Sequence, residues 1–323
     1  MIDDADLPLV TFALFAFNQE RYVRQAVQAA LEQDYPRLQI ILSDDCSSDA
    51  TFELMSEMAE SYTGPHSIKL NRNPVNLGIG RHINVMMEMV DADFVVIAAG
   101  DDVSEPNRTA ELTRVWLESE RRDVSIFSSV MHIDANGKPL GLARRGSSIE
   151  HLNSLDSHAS QANFVMGASH GWDMRLIRNY EPLLSVIMNE DVILAARGAI
   201  TGRVSYVDKP LVRYRLDSGV SFEFMRRREQ NLHEVSIQTR KQRYYCWLQK
   251  FRDFKNAGVL GGREQMFAKS RATALYPIWL RSGRLTRLRC CFFLKRCILS
   301  FLLMEYVKYR FPMLVALKHR LLP

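Results

Sequence analysis

Short apolar runs that alternate with helix-like stretches constrain this chain more than any other feature. Residues 9–15, 38–42 and 94–99 are apolar almost without a break, so strands built from them need cover on both faces. The stretches between them carry helical signals. Val23, Ala26, Val27, Ala30 and Leu31 recur at helical spacing, with Asn18 as a cap and Asp34-Tyr35-Pro36 as a stop. Further helices are expected over 50–62, 78–90, 106–119, 174–180 and 190–197, and strands over 67–71, 124–133, 204–207 and 211–214. A turn is expected at Asn136-Gly137, and the polar stretch 146–162 reads as a flexible loop. This alternation predicts an α/β protein with a mainly parallel sheet flanked by helices. In such sheets, ligands bind beyond the carboxyl ends of the strands.

The chain is long enough, at 323 residues, for one large domain with an appendage, and its 47% apolar and 24% charged composition is that of a folded protein. Net charge divides unevenly. Residues 1–224 balance at −12, whereas 225–323 balance at +17. The predicted organisation follows: a catalytic domain over 1–224, with halves 1–105 and 106–224, and a helical basic region over 225–323. The asymmetry suggests an anionic surface as partner, either membrane or nucleic acid. The start of the sequence lacks the basic and apolar segments of a signal peptide, and no run approaches the roughly 18 apolar residues of a spanning helix. Five cysteines without C-x-x-C spacing read as reduced thiols in the cytoplasm.

Three acidic pairs supply the chemistry: Asp44-Asp45, Asp101-Asp102 and Glu190-Asp191. The first two follow apolar runs directly, and adjacent carboxylates there need cations or donors to compensate them. A nucleotide held with Mg²⁺ or Mn²⁺ answers that need. Helix capping is the competing reading for Asp44-Asp45, a polar turn for Asp101-Asp102, and helix-dipole placement for Glu190-Asp191. Arg81, near a helix start, suits phosphate contact or plain solvation. Trp172 suits either sugar stacking or the core.

The segments Ala13-Leu14-Phe15-Ala16-Phe17-Asn18, Gln33-Asp34-Tyr35-Pro36 and Ser43-Asp44-Asp45-Cys46-Ser47-Ser48-Asp49 are followed by Asn76-Leu77-Gly78, Gly100-Asp101-Asp102, Asn189-Glu190-Asp191 and Tyr214-Arg215. In this order they resemble a family 2 glycosyltransferase of the GT-A fold, over roughly residues 7–222. The resemblance implies an inverting, metal-dependent transfer of sugar from a nucleotide-sugar, a UDP-sugar foremost, to a glycan or polyprenyl-linked acceptor in surface-polysaccharide synthesis. It implies that Phe15, Phe17, Asn18, Asp45, Arg81, Asp101 and Arg215 bind the donor, with Asp45 hydrogen-bonded to the base and Arg215 on phosphate. Asp102 then holds the metal, Asp191 is the base and Glu190 orients it or the acceptor, while Trp172 stacks on the acceptor sugar. Two positions depart from the family pattern: Phe15 stands where many relatives have proline, and Asp217 stands where many have a metal-binding histidine. Asp217 is therefore expected to complete the metal site.

In the basic region, Cys290, Phe293, Leu294, Cys297, Ile298, Phe301 and Met304 share one helical face. That stripe predicts peripheral attachment to an anionic membrane, on the inner face of the cell membrane, or else packing on the catalytic domain. The rival functions are a catalytically inactive membrane scaffold, a nucleotidyltransferase of the same fold, and a nucleic-acid binder. The last lacks any recognised motif and has an acidic N-terminal part. Homo-oligomerisation is left open.

Overall fold

The computed structural model describes residues 7–143, 148–160, 165–216, 218, 232–268 and 270. The first of two compact units runs from Met1 to Arg271; the second, 272–323, lies outside the described residues, and so does the apolar stripe of 290–304.

The first half builds as its pattern predicts. Strands β1 (Val10–Ala16), β2 (Leu38–Asp44), β3 (Ser67–Arg72) and β4 (Phe94–Ala99) pair in parallel in the order β3-β2-β1-β4. Between them run helices α1 (Val23–Leu31), α2 (Thr51–Glu60) and α3 (Ile79–Glu88). Both faces of β1, β2 and β4 are almost wholly buried, whereas β3 is partly exposed. Phe12, Leu14, Ile40, Leu42, Phe94 and Val96 enter one core, while Ala13, Ile41, Val95 and Ile97 enter another with Ile83 and Met86 of α3. Successive side chains point to opposite faces, so an unbroken apolar run fills two cores at once.

The second half adds β5 (Val103–Ser104), α4 (Arg108–Glu118), β6 (Asp123–Ile133) and β7 (Pro139–Ala143). The expected loop at 146–162 instead contains two short helices, α5 (Ile149–Leu152) and α6 (Leu155–Ser160). Ser148 caps the first by accepting from the His151 N–H, which a compositional reading of a polar stretch does not register. Next come β8 (Gly171–Asp173), α7 (Arg175–Arg178), α8 (Glu190–Thr201) and β9 (Arg203–Arg215). β9 is one strand of 13 residues, not two. The sheet continues from β4 through β8, β6 and β9 to β5, with β7 off β6. β8 is antiparallel to both of its neighbours, and β9 runs parallel to β6.

Helix α9 (Leu232–Asn256), within the basic region 225–323, falls in the first unit. Arg197 of α8 and Asp253 of α9, both almost fully buried, pair at 2.8 Å, and Trp247, Phe254 and Phe267 pack with Ala159 and Ala196. Among the described residues, no helix is long and apolar enough to cross a membrane.

Candidate active site

Strand register brings the first two acidic pairs to one edge. Phe15 lies beside Ser43 of β2 and Ala99 of β4, and Ala16 lies beside Asp44. The alignment persists past the strands: Asp45 N donates to Ala16 O at 2.9 Å, and Gly100 N donates to Phe15 O at 3.0 Å.

Asp44 and Asp45 do different work, and neither caps α2. Asp44 accepts the Ser47 N–H and hydroxyl and lies 3.7 Å from the Arg72 guanidinium. Asp45 is buried and holds the next loop. Its Oδ1 accepts from Asn73 Nδ2 at 2.8 Å and Leu77 N at 2.9 Å, and its Oδ2 accepts from Gly78 N at 2.9 Å. With two lone pairs per oxygen, Oδ2 keeps capacity for one more donor. Beneath this loop, the His82 ring stands 2.6 Å from Ser43 Oγ and edge-on to Phe15. Phe15 is partly buried, and Phe17 is 42% exposed. Asn18 does not cap α1. It adopts a positive φ of 51° and its Oδ1 accepts from Ser48 N at 2.9 Å, tying the β1 end to the Asp45 loop. Arg81 is exposed in the first turn of α3.

Asp101 and Asp102 are both buried after β4. Burial raises the Asp101 carboxyl above its ordinary range, and burial together with the Asp101 charge raises Asp102 well above its own. The charges of two guanidiniums, Arg108 and Arg215, offset only part of the shift at Asp102. Arg215 donates from its backbone N to Asp102 Oδ1 at 2.8 Å, from Nε to Asp101 O, from Nη1 to Asp134 O and from Nη2 to Gln25 Oε1, with Tyr22 stacked 4.3 Å from it. Arg215 is thus committed to holding the acidic turn, and phosphate contact through it would require breaking those bonds. Arg108, fully buried on α4, supports the turn from below through Ser104 Oγ and Ile97 O, at 2.8 and 2.6 Å. Burial lowers its pKa to about 9 despite the opposing charge of Asp102. Sequence reading missed Arg108, because an arginine in the first turn of an amphipathic helix reads as a surface residue.

Glu190 and Asp191 open α8. Desolvation pushes Asp191 up to about 6, and desolvation plus the Asp191 charge pushes Glu190 up to about 8. Gly167 faces them: a Cβ there would stand 3.1 Å from Glu190 Oε1 and 3.6 Å from Asp191 Cβ. The Gly167–Ser169 turn leads into His170, whose carbonyl accepts from Ile97 N of β4 at 3.0 Å. This turn connects the third pair to the strand that ends in Asp101-Asp102.

The ionisation of Glu190 has a consequence for stability. An acid whose folded pKa lies above its ordinary 4.5 binds its proton more tightly in the folded state. Its contribution is therefore fully present at acid pH and is lost as pH rises toward about 8. Glu190→Gln is expected to match wild type near pH 4.5 and to melt progressively higher than wild type as pH approaches 8. Melting curves across that window check this; a difference that stays constant with pH contradicts it.

Trp172 requires correction. It is 1% exposed on β8, paired in register with Val95 and Ser125, and it packs in the second core. No ring face is open to an acceptor sugar. Trp172→Ala is expected to cost about 3–5 kcal/mol by urea unfolding, and Trp172→Phe is expected to leave acceptor KM unchanged. Asp217 lies outside the described residues. Among the described residues, no three His, Cys, Asp or Glu side chains converge as a metal cluster.

Two carboxylate pairs thus stand at parallel strand ends, and a further pair opens the helix beside them. Residues 11–168 match the family model described as Glycosyl transferase family 2, and this match supports reading the chain as a glycosyltransferase. The Bacillus subtilis (strain 168) protein EpsE, which carries a glycosyltransferase name, is 28% identical over 130 residues, covering 40% of this chain and 46% of EpsE. An uncharacterized glycosyltransferase of Haemophilus influenzae is 22% identical over 153 residues, covering 47% and 59% of the two chains. The matched stretch thus spans about half the length of these relatives. In fold, the chain resembles the mannosyltransferase PcManGT of Pyrobaculum calidifontis, solved with GDP-Man and Mn²⁺, at 14% identity and TM-score 0.54 over 96% of this chain and 89% of that one. It also resembles S. aureus TarS 1–349, solved with UDP-GlcNAc, at 14% identity and TM-score 0.53 over 86% and 77%.

Proposed function

We propose that this chain transfers a sugar, with inversion, from a nucleoside-diphosphate donor to a hydroxyl of a glycan or lipid-linked glycan. The observation that carries this reading is the desolvated Glu190-Asp191 pair set against Gly167, next to the strand that ends in Asp101-Asp102. Asp191, titrating near 6, is deprotonated at neutral pH and takes the proton from the acceptor hydroxyl. The hydroxyl oxygen bonds to the anomeric carbon as the bond to the diphosphate breaks, and the diphosphate leaves with that electron pair. Glu190 keeps its proton near neutrality and can donate a hydrogen bond to the acceptor or to Asp191.

The free acceptor position on Asp45 Oδ2 suits one ring N–H of a base, as uracil offers, and Phe15 and Phe17 supply apolar edges beside it. Arg81 suits diphosphate. Two buried adjacent carboxylates held above their ordinary pKa call for a cation, and Asp102, with Asp101 and the donor diphosphate, fits Mg²⁺ or Mn²⁺. When bound, such an ion supplies Lewis-acid stabilisation of the departing diphosphate. The neighbours bound to GDP-Man with Mn²⁺ and to UDP-GlcNAc support a nucleotide-sugar donor. Asp217 is placed with the metal ligands on the family pattern alone. The apolar stripe of 290–304, within the basic region 225–323, supports a peripheral seat on anionic membrane, as expected for lipid-linked acceptors in surface-polysaccharide synthesis.

The test is a panel of nucleotide-sugars with Mn²⁺ or Mg²⁺, read by release of nucleoside diphosphate and by thermal shift. Metal-dependent release from one donor, lost in Asp191→Asn, is the expected result. A chain that neither binds nor turns over any donor in the panel refutes the reading.

A further inference from the structure

The strip Leu183–Met188, which delivers Glu190 and Asp191 to α8, has almost no internal structure of its own: one turn bond, Ile187 N to Leu184 O, holds it. Further backbone bonds tie it to two helices. From α3, Asn84 Oδ1 accepts from Leu183 N at 3.0 Å while its Nδ2 donates to Leu183 O at 2.8 Å, and Gly80 N donates to Ile187 O at 3.1 Å. From α9, Gln242 Oε1 accepts from Met188 N at 3.0 Å while its Nε2 donates to Val186 O at 2.8 Å. Gln249 Oε1 accepts from Leu184 N at 2.9 Å, and Cys246 Sγ lies 3.9 Å from Asn189 O. Gly80 is needed for this fit, since a Cβ there would come within 2.8 Å of Leu184 O and 3.0 Å of Ile187 O.

A side-chain amide that makes two reciprocal bonds to one strip of backbone fixes its position as a strand neighbour would. We propose that Gln242 and Asn84 are positioning residues, a pair of amide clamps that sets where Glu190 and Asp191 stand. Neither residue belongs to the matched family segment's acidic motifs, and neither touches the reacting groups. The clamp also joins the two halves of the site. Helix α3, which carries Asn84 and Gly80, begins at the loop whose Leu77 and Gly78 N–H groups hold Asp45.

Gln242 is uncharged, so its removal changes the position of the pair and not the charge around it. The titratable groups that face the pair are the two carboxyls themselves and, from α9, Cys246, which Lys250 also influences. In Gln242→Ala, turnover is expected to fall about 10- to 100-fold, the scale of a small misplacement of catalytic groups, with nucleoside-diphosphate affinity unchanged. Two readouts do not depend on turnover. Carboxyl ¹³C NMR is expected to show Glu190 and Asp191 titrating nearer their ordinary values, and hydrogen exchange is expected to quicken over 183–189 without change in β1–β4. Gln242→Glu, which keeps the acceptor for Met188 N and loses the donor to Val186 O, is expected to fall between. Only the turnover arm rests on the glycosyltransfer reading: wild type that binds donor without transfer counts against that reading, while titration and exchange still judge the clamp. Unchanged titration and exchange in both Gln242→Ala and Asn84→Ala overturn it.

Discussion

Asp191→Asn is expected to lower turnover by about 10²- to 10⁴-fold, the range lost with a general base, and to leave nucleotide binding intact. Asparagine can still accept the Val192 N–H that Asp191 Oδ1 takes at 2.9 Å, so the first turn of α8 keeps its geometry and only the proton acceptor is lost. The pH profile gives a second handle. The wild-type carboxyl titrates near 6 because it is desolvated. The rate is therefore expected to climb as pH rises through that value and the proposed base loses its proton, and the residual rate of the variant to lack this limb. Glu190, protonated up to about 8, is the poorer base at neutral pH. If Glu190→Gln abolishes turnover and Asp191→Asn does not, the two assignments exchange.

Asp102→Asn separates stability from binding. Burial and the neighbouring Asp101 charge disfavour the ionised Asp102, so a neutral isostere is expected to hold or raise the melting temperature of the ligand-free protein. Asparagine Oδ1 can still accept the Arg215 N–H now bonded at 2.8 Å. The same substitution removes an anionic ligand from the proposed cation site. Stabilisation by UDP in the presence of Mn²⁺ is expected to disappear, and turnover to fall by about 10²–10³-fold, as when one electrostatic contact to the transition state is lost. Thermal shift with and without Mn²⁺ and UDP measures both effects together. A variant that keeps its Mn²⁺-dependent response removes Asp102 from the metal site.

Family and fold were legible because their signals are local. A run such as Phe94–Ala99 carries its two-faced burial in its own composition, and the first two acidic pairs stand at the ends of such runs. The Gln33-Asp34-Tyr35-Pro36 segment, recognisable by eye, turned out to be a staple. Gln33 bonds Thr109 N and Oγ1 at the start of α4, and the Tyr35 hydroxyl donates to Pro8 O. Capping was misjudged at Asn18 because its side chain found a partner 30 residues away in Ser48. The strands β5 and β8, of two and three residues, have no periodicity to read; they exist because a neighbouring strand offers them hydrogen bonds.

By itself the sequence determined the alternation of strand and helix, the placing of acids at strand ends, and through both the family. Those depend on residues within one or two turns of each other. Only tertiary structure decided what each polar group faces. It set Trp172 in the core through register with Val95 and Ser125 and turned Arg215 inward to hold Asp101 and Asp102 across 114 and 113 residues. It also raised the pKa of Glu190 and Asp191 by taking water away from them. Desolvation and long-range pairing depend on what the rest of the chain brings alongside, and no local spacing encodes that.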